Sequence, residues 1–416
     1  MVSKLPLVII LGATGSGKTK LSLELAKKFG GQIISADSMQ IYKGLDIITA
    51  KASLEERKIA PHHLIDELQP NQPFSVVDFR NKALCIIDTL FSGNVLPIVV
   101  GGTNYYIESL LWKILVEEPG VSIPQSSQLE MNKLEELSTS ELYKLLLDED
   151  PNRACKLHPN DKRKILSSLE IFYRKGRKHS DILSEQQTSE GGSAFGGSLR
   201  FENALIFWMI CEQVTLDHRL DTRVDQMIEQ GLVNELLDFH KRYNEKRMEN
   251  KEVDYTKGIF QSIGFKEFHK YLMLSYEEKF TENGKKIFET AVDDLKRVTR
   301  RYAKKQKRWV LNRLLNINTN RKVPPVYSLD TTDISKWDEC VSLPAISIVQ
   351  SFLERRKCSY LPLSKQERSG LPISMAEKYF CNSCGRVFIG KFQWNCHIKS
   401  RRHKRVLQKK NKAVDS

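Results

Sequence analysis

A glycine-rich segment near the beginning of the chain has the residue types and spacing of a phosphate-binding loop. Glycine lets a backbone turn tightly and approach oxygen atoms, so successive amides can converge on one anion. The lysine of the motif adds a positive charge, and its threonine adds a hydroxyl that can hold Mg²⁺. We therefore predict a site for a diphosphate-like group and Mg²⁺. A chance match would rarely fall between an apolar run and a helical pattern. The motif comprises Gly12, Ala13, Thr14, Gly15, Ser16, Gly17, Lys18 and Thr19.

Two more strand ends carry chemistry-bearing residues. Asp37 follows the apolar run 32–36, and Gly101-Gly102-Thr103 follows the run 95–100. Functional side chains gather at the carboxyl ends of parallel strands. A carboxylate there can accept a proton or hold Mg²⁺, and a hydroxyl can bond a phosphoryl oxygen. The structural alternatives are a capping aspartate and a simple turn.

Four residues near the end of the chain have the spacing of a two-Cys/two-His zinc site: Cys381, Cys384, His397 and His403. Cys396 is next to His397, but the spacing is complete without it. A segment this short buries little surface, so we expect Zn²⁺ to hold it folded. Its basic residues indicate contact with RNA, and the alternative is a finger used only for protein contact.

These residues need a framework, and the apolar patterns predict an α/β fold with a parallel sheet like that of P-loop nucleotide kinases. Strands are predicted at 5–11, 32–36, 95–100 and 204–210, and helices at 18–29, 75–91, 134–147, 161–173, 214–231, 232–243 and 292–315. The predicted domains are a catalytic core at 1–115 and 200–335, a helical insertion at 116–199, a partly ordered connector at 336–375 and a matrin/U1-like zinc finger at 376–416.

The charge distribution points to nucleic acid. The net charge is +14, and residues 295–322 contain eleven Lys/Arg and no acidic residue. A second basic block occupies residues 376–416. Two such blocks indicate RNA or DNA contact at two places. The alternative is a solvated helix face together with a tail that resembles a nuclear localisation signal. No apolar run reaches 18 residues, so no membrane contact is predicted, and no secretory signal fits the first residues. The five cysteines before residue 381 have no framework spacing, which favours a reducing compartment.

The order of the motifs carries a resemblance. The chain resembles the tRNA dimethylallyltransferases, also called tRNA isopentenyltransferases, over about residues 5 to 310, and its zinc finger resembles that of their eukaryotic branch. The motifs are GATGSGKT, DSMQIY, PHHLID, IVVGGTNYY, HPNDKRKI, LDTRVDQMI, QSIGFKEF and TRRYAKKQKRW.

The resemblance implies an activity. The P-loop would hold the diphosphate of dimethylallyl diphosphate, with Thr19 positioning Mg²⁺. The acceptor would be the exocyclic amine of the adenosine 3′ of the anticodon, flipped out of its loop. The resemblance makes Asp37 the general base, Thr103 the hydroxyl at the leaving oxygen and Arg223 the diphosphate clamp. Arg219 is a weaker candidate, and either arginine could instead pair with a nearby aspartate.

The resemblance also implies residues that contact tRNA. Gln40 could bond a base edge, and Phe265 or Tyr302 could stack on bases, although aromatic side chains on helices are more often core. The implied contact residues are Asp37, Ser38, Met39, Gln40, Thr103, Lys162, Arg163, Gln186, Gln261, Ser262, Gly264, Phe265 and Arg300.

We therefore expect a monomeric prenyltransferase that acts on the tRNA anticodon stem-loop in the cytoplasm and the mitochondrion, with the nucleus as a further compartment. Two other functions stay open from the residues alone. One is a P-loop kinase or NTPase that acts on RNA or a small substrate. The other is a non-catalytic zinc-finger RNA-binding protein with a degenerate P-loop, which the intact Lys18, Thr19, Asp37 and Thr103 disfavour.

Overall fold

The computed structural model describes residues 5–114, 134, 136–244, 255, 257–317, 320–366 and 377–414. Two compact units divide the chain. The first contains Met1–Trp112, Arg200–Leu315 and Val323–Lys365, and the second contains Lys113–Leu199, Asn316–Lys322 and Gln366–Ser416. Within the described residues, no helix combines the length and the apolar character that crossing a bilayer requires.

The first unit is built on a six-stranded parallel sheet, which confirms the predicted α/β class. The strands are β1 (Leu7–Gly12), β2 (Gln32–Ser35), β3 (His62–His63), β4 (Pro97–Gly101), β5 (Ala204–Ile210) and β6 (Val326–Asp330). Their order across the sheet is β3-β2-β4-β1-β5-β6. The central strands are apolar on both faces because helices cover both faces of a parallel sheet.

The strand order explains why three sequence motifs meet. β4 lies between β1 and β2, with Ile10 paired to Val100 and Ser35 paired to Val100 from the other side. The carboxyl ends of β1, β4 and β2 are therefore neighbours. The phosphate-binding loop follows β1, the turn Gly101–Thr103 follows β4, and Asp37 follows β2. The topology places all three at one edge, as open parallel sheets place their ligand sites.

Local signals set the helix bounds of the first unit. The helix after β1, Lys18–Phe29, ends at Gly30, whose φ of 63° is left-handed. The helix Val76–Ser92 begins with a capping box, in which the Ser75 hydroxyl accepts from the Asp78 amide and the Asp78 carboxylate accepts from the Ser75 amide. The other α-helices are Leu54–Ile59, Asn104–Leu111, Gln213–Glu229, Leu232–Phe239, His269–Leu272, Tyr276–Phe280, Glu282–Arg313 and Leu343–Leu353.

The structure differs from the sequence-based expectation most clearly in one long helix and one edge strand. The basic helix begins at Glu282, ten residues before the predicted start at 292. The prediction missed its first turns because they are rich in charged residues and lack apolar periodicity. This helix is called the long helix below. β6 was not predicted, since its alternating pattern Val326-Tyr327-Ser328-Leu329-Asp330 is short and lies at a sheet edge.

The expected connector at 336–375 is wrong for its first part. Trp337, Val341, Ile348 and Val349 are buried in the same core cluster as β1 and β5 residues. The helix Leu343–Leu353 supplies Ile348 and Val349 to this surface, and its buried Pro344 lies in the first turn. The first part of the segment is therefore ordered and belongs to the core. Residues 367–375 of the expected connector lie outside the described residues.

The second unit is helical, with a small hairpin. Its helices Thr139–Glu149, Pro151–Ala154, Lys162–Lys175 and His179–Thr188 surround a core that includes Leu142, Leu146, Ile165 and Leu169. The hairpin strands are β7 (Lys378–Cys381) and β8 (Arg386–Ile389), and the helices Lys391–Lys399 and Arg401–Val414 follow. The hairpin contacts the helical part of this unit at two points. His158 Nε2 lies 3.2 Å from the Val387 carbonyl oxygen, and the Lys378 ammonium is 3.3 Å from the Tyr143 hydroxyl.

Candidate active site

The phosphate-binding loop has the shape that its glycines predict. Gly15 and Gly17 have φ angles of 77° and 83°, which side-chain-bearing residues rarely adopt. The Ser16 hydroxyl donates to the Ala13 carbonyl oxygen at 2.8 Å, and the Lys18 ammonium donates to the same oxygen at 2.8 Å. Both bonds converge on one carbonyl oxygen and hold the loop in a tight turn. Thr14, Gly15, Gly17, Lys18 and Thr19 line a cavity of about 780 Å³.

Asp37 is held in place by a close approach between two strand ends. The amide of Thr103 donates to the Ala36 carbonyl oxygen at 3.2 Å, and a Cβ on Gly101 would collide with that carbonyl. Gly101 is therefore required for β2 and β4 to end side by side. The Asp37 carboxylate accepts from the Met39 amide at 2.9 Å, which orients its other oxygen.

Thr103 lies in a hydrogen-bonded group. Its hydroxyl oxygen accepts from the Ser38 amide at 3.0 Å and lies 3.3 Å from the Ser38 hydroxyl. The Tyr302 hydroxyl, which comes from the long helix, donates to the carbonyl oxygen of the neighbouring Gly102 at 3.3 Å. The Thr103 hydroxyl therefore lies next to the Asp37 loop.

Arg223 lines both cavities and forms no salt bridge with the aspartates of its own helix. Three aspartates spaced four residues apart on the helix Gln213–Glu229 pair with three cations spaced four apart on the long helix, in antiparallel order. These pairs are Asp217–Lys304, Asp221–Arg300 and Asp225–Lys296. Arg223 lies two residues from Asp221 and Asp225, so it projects from another face of its helix. Within the described residues it has no ion pair, and burial lowers its guanidinium pKa.

Two cavities meet at Asp37. The larger, of about 780 Å³, contains the phosphate-binding loop, and the smaller, of about 230 Å³, is lined by Ser38, Met39 and apolar side chains of the helix Gln213–Glu229. Both cavities share Asp37, Arg223, Tyr302 and Thr14. An acid–base group and a cation thus lie at the junction of an anion cradle and a second pocket.

The ionisable groups at the junction influence each other. Burial and the nearby Arg223 guanidinium lower the pKa of Lys18 to about 8, and Asp37 partly opposes this shift. Burial raises the pKa of Asp37, while the Met39 amide and Lys18 lower it. Two cations that destabilise each other in a buried cleft favour a bound polyanion.

Two sequence-based candidates have structural roles instead. The Arg219 guanidinium donates to the carbonyl oxygens of Thr331 and Thr332, each at 2.6 Å, so it ties the end of β6 to its own helix. The Gln40 amide nitrogen donates to the Thr49 and Ala50 carbonyls at 3.1 Å, and its oxygen accepts from Ser35. Both ends of the Gln40 carboxamide therefore form hydrogen bonds within the fold, and its contact with a base edge stays a prediction.

The segment 261–265 borders the smaller cavity through part of its length. Gln261 and Ser262 line the cavity, and the buried Ser262 hydroxyl has no partner within the described residues. Gly264 has a φ of 108°, and a Cβ there would collide with Ile48. Phe265 is fully buried against Phe239 and Phe260, which agrees with the core alternative for this aromatic side chain.

Three predicted tRNA contacts belong to the second unit. Lys162 and Arg163 are exposed at the beginning of the helix Lys162–Lys175. The Gln186 side-chain oxygen is buried without a partner among the described residues. Arg300, in the first unit, is paired with Asp221, so a phosphate would have to compete with that carboxylate.

The four cysteine and histidine residues of the finger form a cluster able to hold a metal ion. The potential ligand atoms of Cys381, Cys384, His397 and His403 all lie within 4.8 Å of one another. His403 Nδ1 is 3.6 Å from the Cys381 sulfur and 3.4 Å from the Cys384 sulfur, close to the roughly 3.5 Å that tetrahedral coordination requires. The buried His397 Nε2 has no hydrogen-bond partner in the part of the chain that the structure describes. Cys396 is exposed.

Trp337 contacts the loop from a part of the chain that carries no motif. A Cβ on Gly17 would collide with its indole ring, so the ring packs directly on the loop backbone. The indole N–H donates to both Glu24 carboxylate oxygens, at 2.9 and 3.1 Å, and the Lys20 ammonium lies 4.4 Å from the ring centroid. Trp337 lies in the segment that the sequence analysis interpreted as a connector, and no sequence signal indicated that it packs on the loop.

Replacing Trp337 with alanine is expected to lower the free energy of unfolding by about 3–5 kcal/mol, because the ring is buried and its loss leaves a cavity under Gly17. Trp337→Phe keeps a ring there and loses the N–H bond, so we expect a cost of about 1 kcal/mol. Urea denaturation followed by far-UV circular dichroism measures both. Equal midpoints for Trp337→Ala and the unsubstituted protein would contradict this role.

Comparison with known proteins identifies the family. A family model described as IPP transferase matches residues 40–313, and one described as isopentenyl transferase matches residues 5–64. The chain is 48% identical to a tRNA dimethylallyltransferase of Homo sapiens, over 99% of this chain and 88% of that protein. It is 34% identical to one of Saccharomyces cerevisiae, over 98% and 93%.

Solved structures agree. The structure from a crystallographic study of a eukaryotic dimethylallyltransferase acting on tRNA superposes on this chain with a TM-score of 0.81. The two chains are 31% identical, and the match covers 99% of this chain and 98% of that one. A tRNA isopentenylpyrophosphate transferase from Bacillus halodurans gives 0.52 at 30% identity, covering 84% and 97%. The resemblance carried by the motifs is therefore confirmed, and the chain belongs to the tRNA dimethylallyltransferase family.

Proposed function

We propose that the chain transfers a dimethylallyl group from dimethylallyl diphosphate to the exocyclic amine of the adenosine 3′ of the anticodon in tRNA. The family assignment supports the transferase class and the acceptor. The observation that carries the mechanism is the junction of the two cavities at Asp37 and Arg223. A diphosphate in the larger cavity and a flipped adenine in the smaller one would approach each other there.

The proposed reaction replaces a carbon–oxygen bond with a carbon–nitrogen bond and moves one proton from the amine to Asp37. The amine nitrogen attacks the first carbon of the allyl group, the bond from that carbon to the diphosphate oxygen breaks, and diphosphate leaves with the bonding electrons. Asp37 accepts the proton from the amine. Lys18 and Arg223 stabilise the charge that develops on the leaving oxygens, and the loop amides add fixed dipoles. Thr103 is proposed to donate to the oxygen nearest the allyl carbon.

Magnesium fits the oxygen atoms that face the larger cavity. The Thr19 side chain is exposed to it, and the Asp37 carboxylate also lines it. Hard oxygen donors with room for water are what Mg²⁺ prefers. We propose that Thr19 holds Mg²⁺ at the diphosphate, where the ion would neutralise phosphate charge.

Labelled substrates test the function. Purified protein is incubated with tRNA and either dimethylallyl diphosphate labelled in its allyl group or ATP labelled in its γ-phosphate. We expect allyl label on tRNA and no phosphate transfer, and nucleoside mass analysis should locate the label on the adenosine after the anticodon. Phosphate transfer or ATP hydrolysis at a comparable rate would favour a P-loop kinase or NTPase instead.

The pH dependence of kcat/KM for dimethylallyl diphosphate should be bell-shaped, because this parameter reports the groups of the free enzyme. Asp37 must be ionised to accept a proton, so activity falls as pH drops through its raised pKa, which lies above the ordinary value of 3.8. Lys18 must be charged to bind diphosphate, so activity also falls above about pH 8, its lowered pKa.

Lys18→Arg tests the alkaline limb, since arginine keeps its charge at high pH. Its absolute activity should be lower because the guanidinium is larger, but the decline above about pH 8 should vanish. An unchanged alkaline limb in this variant would assign the decline to another group.

We propose Zn²⁺ for the Cys381, Cys384, His397 and His403 cluster, since two thiolates and two imidazoles at these separations suit it. Chelation should unfold the segment 377–414, which has few other buried apolar side chains, and should release one zinc per chain. A colorimetric zinc assay with proteolysis of the treated protein measures this. Protection of the finger after complete metal removal would show that packing alone holds it.

We also propose that the protein acts as a monomer, which light scattering after size exclusion would test, and that it works in the cytoplasm and mitochondrion, with the nucleus as a further compartment. Imaging of a tagged chain would test the compartments.

A further inference from the structure

The carboxamide of Gln306 bridges the two halves of the diphosphate site. Gln306 lies on the long helix and is 4% exposed. Its side-chain oxygen accepts from the Thr14 amide of the phosphate-binding loop at 2.9 Å. Its side-chain nitrogen donates to the Gly102 carbonyl oxygen at 3.0 Å. One side chain therefore links the loop after β1 to the turn after β4.

The bond to Thr14 reaches Lys18 through a single peptide group. The Thr14 N–H and the Ala13 carbonyl belong to the same planar unit. Gln306 holds the N–H end, and the Lys18 ammonium donates to the carbonyl end at 2.8 Å. The orientation of this peptide therefore sets where the Lys18 ammonium rests. In phosphate-binding loops the amides usually face an anion, and here one of them is committed to a side chain instead.

The bond to Gly102 is equally constrained. A Cβ on Gly102 would collide with the Gln306 amide nitrogen, so only glycine permits this approach. Gly102 precedes Thr103, whose hydroxyl lies beside the Asp37 loop. The Gln306 backbone is itself anchored, because the Asn104 side-chain nitrogen donates to its carbonyl oxygen at 3.3 Å. Gln306 thus has little freedom to adjust.

We propose that Gln306 is a positioning residue for the prenyl transfer, acting through Lys18 on one side and Thr103 on the other. It keeps the cation and the hydroxyl at the separation that one allyl diphosphate needs. The proposal rests on the proposed function for its substrate, and on the geometry alone for its effect on diphosphate binding.

Gln306→Glu is the sharpest test. The variant keeps an acceptor for the Thr14 amide but places an oxygen against the Gly102 carbonyl. A buried bond lost in this way should lower kcat/KM for dimethylallyl diphosphate by about 10- to 100-fold. KM for tRNA should change less than about twofold, since the carboxamide faces the loop rather than the outside of the helix. Gln306→Leu loses both bonds and should be at least as impaired.

Acid rescue separates positioning from a general loss of structure. Burial raises the pKa of a carboxyl group, and a protonated carboxyl can donate to the Gly102 carbonyl. The ratio of Gln306→Glu to unsubstituted activity should therefore rise as pH falls from about 8 to about 6. Gln350→Glu makes the same chemical change at an exposed position of the helix Leu343–Leu353 and should match the unsubstituted protein at both pH values.

Binding of inorganic diphosphate, measured by calorimetry, gives a readout that does not require catalysis. Gln306→Glu should weaken it by about 10-fold relative to Gln350→Glu, with thermal midpoints within a few degrees. If the unsubstituted protein proves inactive in prenyl transfer but Gln306→Glu still weakens diphosphate binding, the proposed function is rejected and the role of Gln306 is kept. Unchanged diphosphate affinity and unchanged kcat/KM, or a deficit that is the same at every pH, would overturn it.

Discussion

Asp37→Asn should transfer the dimethylallyl group about 10²- to 10⁴-fold more slowly than the unsubstituted protein, the usual contribution of a positioned general base. The amide keeps an oxygen that can accept from Met39, so the loop after β2 should hold its shape. It cannot accept a proton from the attacking amine. The loss should therefore fall on kcat, and tRNA affinity should stay within about twofold. Asp37→Ala also removes the base and should abolish transfer while keeping tRNA binding, although it loses the bond from the Met39 amide as well.

Single-turnover transfer with excess enzyme measures the chemical step, and filter binding measures tRNA affinity. Asp46→Asn is the matched control, because Asp46 lines the larger cavity but is paired with Lys51 at 2.7 Å. It should retain near-normal transfer. A normal single-turnover rate for Asp37→Asn would remove Asp37 from the role of base.

Arg223→Met should lower kcat/KM for dimethylallyl diphosphate by about 10²- to 10³-fold, the magnitude found when a preorganised group that stabilises a leaving anion is removed. Arg223 faces the junction of the two cavities and forms no salt bridge within the described residues, although the Glu56 carboxylate interacts with it electrostatically. Its removal also relieves a cation that depresses the Lys18 pKa, so that pKa should rise. The alkaline limb of the pH profile should move upward in the variant.

Arg223→Lys should recover part of the loss, since it restores charge without the planar fork. Arg242→Met is the control, because Arg242 is an exposed arginine paired with Asp238. Steady-state kinetics at saturating tRNA measure all three. If Arg223→Met stayed within about threefold of the control, the diphosphate clamp would have to be another residue.

Together these predictions divide the work at the junction of the cavities. The loop and Lys18 hold the diphosphate, Arg223 neutralises it as it leaves, and Asp37 takes the proton on the side of the smaller cavity. Trp337 packs on the loop backbone. Gln306 lines the larger cavity and bonds both the loop and the turn after β4. In this scheme both side chains act by fixing the geometry of the loop. Loss of either should move binding and rate through the loop geometry.

The sequence alone determined the parts of this protein that depend on short-range chemistry. The loop from Gly12 to Thr19 folds as its glycines require, the helix Lys18–Phe29 ends where Gly30 permits, and the zinc-type ligands meet because their spacing brings them together. The parallel sheet followed from apolar runs too short for helices. The order of the strands, which makes three motif-bearing ends neighbours, agreed with the rule for parallel sheets.

Only the tertiary structure decided which partners the polar and aromatic side chains have. Arg223 forms no salt bridge with the aspartates beside it, because they pair with the long helix, about 75 residues further along the chain. Gln40 and Phe265 looked suited to a base, but the fold uses one for backbone bonds and buries the other. Trp337 and Gln306 reach the loop from some 300 residues away. Such contacts depend on packing between distant segments, which periodicity and spacing do not encode.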